Sequence, residues 1–323
     1  MDTRRIRYKD GMPYYPVTFP VNEADGLVIE DLQLQQLLNY LKHNDVKSAY
    51  ICSMGSFDFL DQCKKLEHIT IELKVLPNHY SSLEYRGKYL VKNYDVEPLY
   101  SMKNLKSLSV IDGEEPYVVS KIQIDLSRFS GLEEFLGDSK HVKNISEARG
   151  LKTLWLNGYE KDSLLELSEL SKLDTLELDM PKITSLDGCE KMYQLQCLYL
   201  RYGRRLSDIS ALEKVKHSLK ALRIENCARI EDFSVLEKLE ALELLELSGS
   251  NEIPDISFIK KMKNLKTFVF TVNILDGDLS PCLGLQYVAC ARGRKHYNLK
   301  DGKLPKGEYV RGNEDIDMWR RFE

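Results

Sequence analysis

From Leu151 onward the apolar positions repeat one phrase: an apolar residue, another three on, another two on. It reads LKTLWL at Leu151, LDTLEL at Leu173, LQCLYL at Leu195, LKALRI at Leu219, LELLEL at Leu242, LKTFVF at Leu265 and, weakened, LQYVAC at Leu285. The starts lie 22, 22, 24, 23, 23 and 20 residues apart. Alternation inside the phrase predicts a short strand with one face turned inward. Behind each strand the apolar residues step by three, as in Ile183, Leu186, Cys189 and Met192, or Leu206, Ile209, Leu212 and Val215. That step places side chains on one edge of a 3-10 turn or short helix. Ser210-Ala-Leu-Glu213 and Ser234-Val-Leu-Glu237 read as capping boxes that open such turns. A unit this small cannot bury its own apolar edge, so stacked neighbours must supply the core.

Upstream the phrase is degenerate. Val46–Ile51, Leu66–Ile71, a segment near Tyr89–Val91, Leu105–Val110 and the Leu132–Phe135 region each read as a strand, Val46–Ile51 being the first, with an insertion around Asp112–Val119. About twelve strands result. The spacing of Leu32, Leu34, Leu37, Leu38 and Leu41 predicts an amphipathic helix over 29–44. The organisation that follows is a cap over 1–45, repeats over 46–291 (degenerate over 46–150, regular over 151–291), and a polar cap or tail over 292–323, where Trp319 and Phe322 could cover the last repeat.

The phrases and their 20–24-residue spacing resemble the leucine-rich repeats, in particular the short internalin-like subclass, on matches such as LSDISAL at 206–212 and IPDISFI at 253–259. The resemblance implies an α/β fold: a curved solenoid with the short parallel strands on its concave face and 3-10 or helical segments on the convex side. It implies a bacterial protein that binds another protein, as an adaptor, effector or immunity protein. One departure is plain. Many such repeats carry an Asn three residues after the third apolar position; here Tyr159, Pro181, Gly203, Cys227 and Ser250 stand there, and only Asn273 matches.

In that register Trp155 and Asn157, Glu177 and Asp179, Tyr199, Arg201 and Tyr202, Arg223 and Glu225, and Glu246 and Ser248 project from the concave face in adjacent rows. Trp, Tyr and Arg dominate interface hot spots, so these residues form the expected partner-binding surface, with Trp155 its most telling member. The competing reading is that Glu177 or Glu225 merely pairs with Arg201 or Arg223 to keep the sheet solvated.

Charge and composition narrow the function further. The net charge of −4 gives no footprint for nucleic acid or an anionic membrane. The local basic excess from Arg292 to Arg311 leaves nucleic-acid binding there as an alternative, with a solvated cap the commoner meaning of such a run. No apolar stretch is long enough to span a membrane, and the Arg-rich start lacks the apolar core of a signal peptide. Seven cysteines without a Cys-x-x-Cys pair read as buried free thiols, which places the protein in a reducing cytoplasm. Of these, Cys197 alone takes a concave register.

No phosphate-binding, metalloprotease or nucleophile-elbow motif occurs, and the six histidines are scattered. His68, near Glu72, reads as a surface histidine. The expectation is a non-enzymatic monomer that needs no metal or cofactor, an enzyme with an unrecognised site being the remaining alternative.

Overall fold

The computed structural model describes residues 5–18, 23–73, 84–86, 89–113 and 118–309. They form two compact units, Met1–Leu151 and Lys152–Glu323.

In Lys152–Glu323 every regular phrase becomes a strand: Thr153–Asn157, Thr175–Asp179, Cys197–Arg201, Ala221–Glu225, Leu244–Ser248, Thr267–Phe270 and Tyr287–Cys290. All seven pair in parallel in chain order, and equivalent positions of neighbouring repeats face each other. The inward residues Leu154, Leu156, Leu176, Leu178, Leu198, Leu200 and Leu222 are fully buried. Behind them 3-10 turns such as Ser210–Val215, Ser234–Lys238 and Ser257–Lys261 close the layer with buried Leu212, Leu236 and Ile259. Burying one such side chain stabilises by about 1.5–3 kcal/mol, and the stacked ladder is the core.

The turns open differently from the expected capping boxes. Asp208, Asp232, Asp255 and Asp278 each accept the backbone N–H of the serine two residues on, at 2.7–2.9 Å. Glu213 and Glu237 instead take ammonium groups from the following repeat, Lys238 and Lys261. The local Asx turn needs only a two-residue reach, so it wins over the reciprocal box.

The missing asparagine ladder is also replaced locally. Asn273, the one match to the pattern, bonds Glu252 at 3.0 Å. The ladder role falls to Asn251, which is buried and donates to the carbonyls of Cys227 and Ile230 at 3.1 and 2.9 Å. At the equivalent turn, Cys227 turns its thiol toward the carbonyls of Leu200 and Glu225.

In Met1–Leu151 the strands Ser48–Cys52, His68–Leu73, Ser107–Asp112 and Glu134–Asp138 pair in parallel. Ser48–Cys52 is not the first strand, as the sequence suggested. Glu23–Ile29 precedes it in parallel and is preceded by an antiparallel hairpin of Arg7–Lys9 and Met12–Thr18. The strand at Tyr89–Asn93 forms outside the main ladder, pairing with Glu84–Arg86 and Val118–Lys121 in a small sheet, while His68–Leu73 pairs directly with Ser107–Asp112. The expected insertion therefore carries a strand of its own. The helix runs over Leu34–His43, burying Leu37, Leu38 and Leu41, and leaves Leu32 exposed.

Among the described residues no helix is long and apolar enough to cross a membrane. Trp319 and Phe322 lie outside the described residues.

Candidate functional site

Parallel in-register pairing turns the outward positions of Lys152–Glu323 into continuous rows. The central row runs Trp155, Glu177, Tyr199, Arg223, Glu246 and Val269; the next runs Asn157, Asp179, Arg201, Glu225 and Ser248. A third row, Thr153, Thr175, Cys197, Ala221, Leu244 and Thr267, completes the face. The structure thus brings together ten of the eleven expected residues on one surface. Tyr202 lies one position past the Cys197–Arg201 strand, in the turn.

The charges on these rows are paired with one another. Arg201 sits between Asp179 at 3.7 Å and Glu225 at 3.0 Å, and Arg223 meets Glu246 at 3.3 Å. The two arginines also lie over aromatic rings, Arg223 over Tyr199 at 4.9 Å and Arg201 over Tyr202 at 5.5 Å. A guanidinium held by carboxylates and stacked on a ring is fixed in orientation as well as charge.

The centre of the face is not open, contrary to its expected exposure. Glu177 is 1% exposed and Tyr199 2%, and Trp155 is half-buried. Tyr309, from the C-terminal segment, packs against Cys197, Tyr199, Ala221 and Leu244 and accepts a 3.2 Å hydrogen bond from Arg223 Nη2. Among the described residues, the polar group that faces the Glu177 carboxylate besides the two arginines is the Trp155 indole. Burial pushes its carboxyl up to about 8 against the opposing fields of Arg201 and Arg223, so it is largely protonated at neutral pH.

What remains accessible lies at the strand ends. Gly158, Met180, Tyr202, Asn226 and Gly249 occupy the position just past five successive strands, all with positive φ. The backbone N–H groups of the first four donate to the neighbouring repeat at 2.8 Å, so the ladder holds the conformation. Glycine adopts it freely, whereas Met180 (φ 50°) and Tyr202 (φ 52°) are strained there by about 1 kcal/mol each. Both side chains are exposed, at 53% and 39%. Met180 was missed in the sequence. The signal was available: in neighbouring repeats the same register position holds Gly158, Asn226 and Gly249, types that tolerate the left-handed region.

The basic stretch after Arg292 is folded down as a cap. Lys306 Nζ donates to the Val288 carbonyl and to Asp301, Asp301 accepts the N–H of Cys290, and buried Tyr297 bonds the backbone of Val272 and Ile274. Arg311 lies outside the described residues.

Two readings of Met1–Leu151 need correction. His68 is half-buried, and burial pulls its pKa down. Cys197 is not the sole outward thiol, because Cys52 shares the outward face with Tyr50 and packs with Tyr15 and Val28. That unit also holds the one set of potential metal ligands found among the described residues, Asp112, Asp138 and His141, within 4.8 Å of one another. Their separation along the chain hid them from sequence reading. The Lys140 ammonium pairs with both carboxylates and takes the place a cation would occupy. Burial alone would raise the Asp112 carboxyl, but hydrogen bonds from His141 and Lys140 overcome it and hold it well below the usual range.

No family model matches the chain. Among solved structures, an internalin (inlF) of Listeria monocytogenes aligns over 90% of this chain and 91% of its own, with a TM-score of 0.51 at 16% identity. The fold is a leucine-rich repeat. A second Listeria internalin, internalin C2, aligns over 58% of this chain and 80% of its own (TM-score 0.41, 21% identity). A leucine-rich-repeat protein of Leptospira interrogans aligns over 81% and 82% (TM-score 0.41, 14% identity). At these identities the leucine-rich-repeat likeness concerns architecture, and function rests on the site.

Proposed function

We propose that this chain is a non-catalytic protein-interaction module that binds a protein partner on the strand face of Lys152–Glu323, entering at the strand ends around Met180, Arg201 and Tyr202. The observation that carries the reading is the pair Met180 and Tyr202: large exposed side chains held at left-handed positions where glycine would be unstrained. Strain of this kind persists where a surface is kept for use. Beside them the Asp179–Arg201–Glu225 cluster supplies oriented charge, and Trp155, Asn157, Glu177, Tyr199, Arg223 and Glu246 continue the surface inward. Aromatic and arginine side chains in such a setting are the usual anchors of a protein interface. Seven buried, unbridged cysteines suit a reducing cytoplasm as its place of work.

The test is site-specific cross-linking. A photoreactive phenylalanine analogue at position 202 should capture a discrete protein from native extract, whereas the same group at Lys238, on the opposite 3-10 layer, should not. Identical products from both positions would remove the strand face from consideration.

A further inference from the structure

Met1–Leu151 carries a feature that no repeat phrase calls for. The chain leaves the ladder twice, after His68–Leu73 and after Ser107–Asp112, and the two excursions meet as the parallel strands Tyr89–Asn93 and Val118–Lys121. Both are fastened back to the repeats. Ser120 Oγ donates to the Leu73 carbonyl at 3.3 Å, and the Tyr94 ring stacks on Phe57 with centroids 5.1 Å apart. A cavity of about 500 Å³ lies where this small sheet meets Lys140 and His141, just after the Glu134–Asp138 strand. That volume is within the range of ordinary small-molecule sites, about 300–1,000 Å³.

The lining has an apolar part and a polar part. Tyr94, Val119 and Ile122 supply apolar surface, with Ile122 buried and Val119 40% exposed. Asn93, Lys121 and Gln123 are exposed, and among the described residues none of their side chains is hydrogen-bonded or ion-paired. Asn93 and Lys121 are also register partners across the two strands, which holds them side by side. Lys140, by contrast, is committed to Asp112 and Asp138, and neither of those carboxylates lines the cavity. What the cavity offers is therefore one uncommitted ammonium and two uncommitted amides beside an apolar wall. A carboxylate inside it would find no repelling neighbour in the lining, and these donors match an oxyanion.

We propose that this cavity is a small-molecule site for a ligand with a compact apolar body and one oxyanion, a carboxylate or a phosphate. The body rests against Tyr94, Val119 and Ile122, the anion pairs with Lys121, and the amides of Asn93 and Gln123 donate to its remaining oxygens. The site belongs to Met1–Leu151 and does not rest on the protein-binding reading of the strand face.

Three probes that share a phenyl body separate the head groups: phenyl phosphate, phenylacetate and the neutral 2-phenylethanol. Their binding to the full chain is read by ligand-observed NMR titration. At least one anionic probe should bind more tightly than 2-phenylethanol, and the better of the two identifies the head group. Lys121→Ala should weaken that probe about tenfold or more, as expected for loss of a charged hydrogen bond. Val119→Trp, which fills the cavity from an exposed position without removing a charge, should block it. Lys103→Ala, at an exposed lysine of the same unit outside the lining, should leave its affinity unchanged. Thermal midpoints equal to the wild type show that the variants are folded; Lys121→Arg, which keeps the cation, replaces Lys121→Ala if that variant is not, and should retain binding. The proposal is overturned if neither anionic probe binds, if 2-phenylethanol binds as tightly as both, or if Lys121→Ala behaves like Lys103→Ala.

Discussion

At the scale of single residues, two carboxylates with opposite shifts give the molecule opposite pH signatures. The Glu177 carboxyl is raised by burial to about 8, so the unfolded chain loses its proton first as pH rises. The stability it contributes is full in acid and is lost between its ordinary carboxylate range and about pH 8. Asp112 is held low by His141 and Lys140, so its contribution is full at neutral pH and is lost on acidification through the carboxylate range. Urea midpoints should show this directly. Glu177→Gln should gain on the wild type between pH 5 and 8. Asp112→Asn should be the less stable protein at pH 6, and the gap should narrow as pH falls below the ordinary carboxylate range. Reversal of either trend would mean that the environment of that carboxyl is misassigned.

At the scale of elements, the repeat phrase dictated the strands because its alternation leaves one possible buried face, and each leucine-lined strand formed where the phrase placed it. The turns were less legible. Capping boxes at Ser210 and Ser234 lost to Asx turns from Asp208 and Asp232, a competition between two local bonds that spacing alone does not decide. Removing the Asp208 carboxylate should show which bond matters: Asp208→Ala should lower stability by about 1 kcal/mol, and Asp208→Asn, which keeps the acceptor, should restore most of it. Glu213→Gln should change little by comparison, and a larger loss there would reinstate the capping box. In the degenerate repeats, the Tyr89–Asn93 strand was visible as a strand, but its place was not. Sheet membership depends on which backbone it meets, and that is a long-range fact.

At the scale of the whole molecule, each unit has non-repeat residues packed beside its outward strand face. In Met1–Leu151, Tyr15 of the N-terminal hairpin meets Tyr50 with ring centroids 4.6 Å apart, beside Val28 and Cys52. In Lys152–Glu323, Tyr309 does the equivalent on Tyr199 and Cys197. The candidate site was legible in the sequence as a set of rows, because the register fixes which residues share a face. Its accessibility was not, because Tyr309, which packs on Tyr199, lies in a segment that carries no repeat signal. Glu177 and Tyr199 were therefore read as open when they are covered, and Met180 was passed over although it is among the more exposed apolar residues of the unit.

This face, approached from its strand ends, is where we propose that the protein meets another protein. Met180→Gly/Tyr202→Gly tests it most directly, because glycine relieves the left-handed strain and removes only the exposed side chains. That double variant should be at least as stable as the wild type, by about 0–1 kcal/mol after glycine's own entropy cost. Affinity capture from native extract should then recover a specific protein with the wild type and lose it with the variant. Recovery of the same proteins by both would rule out the strand ends as the binding surface.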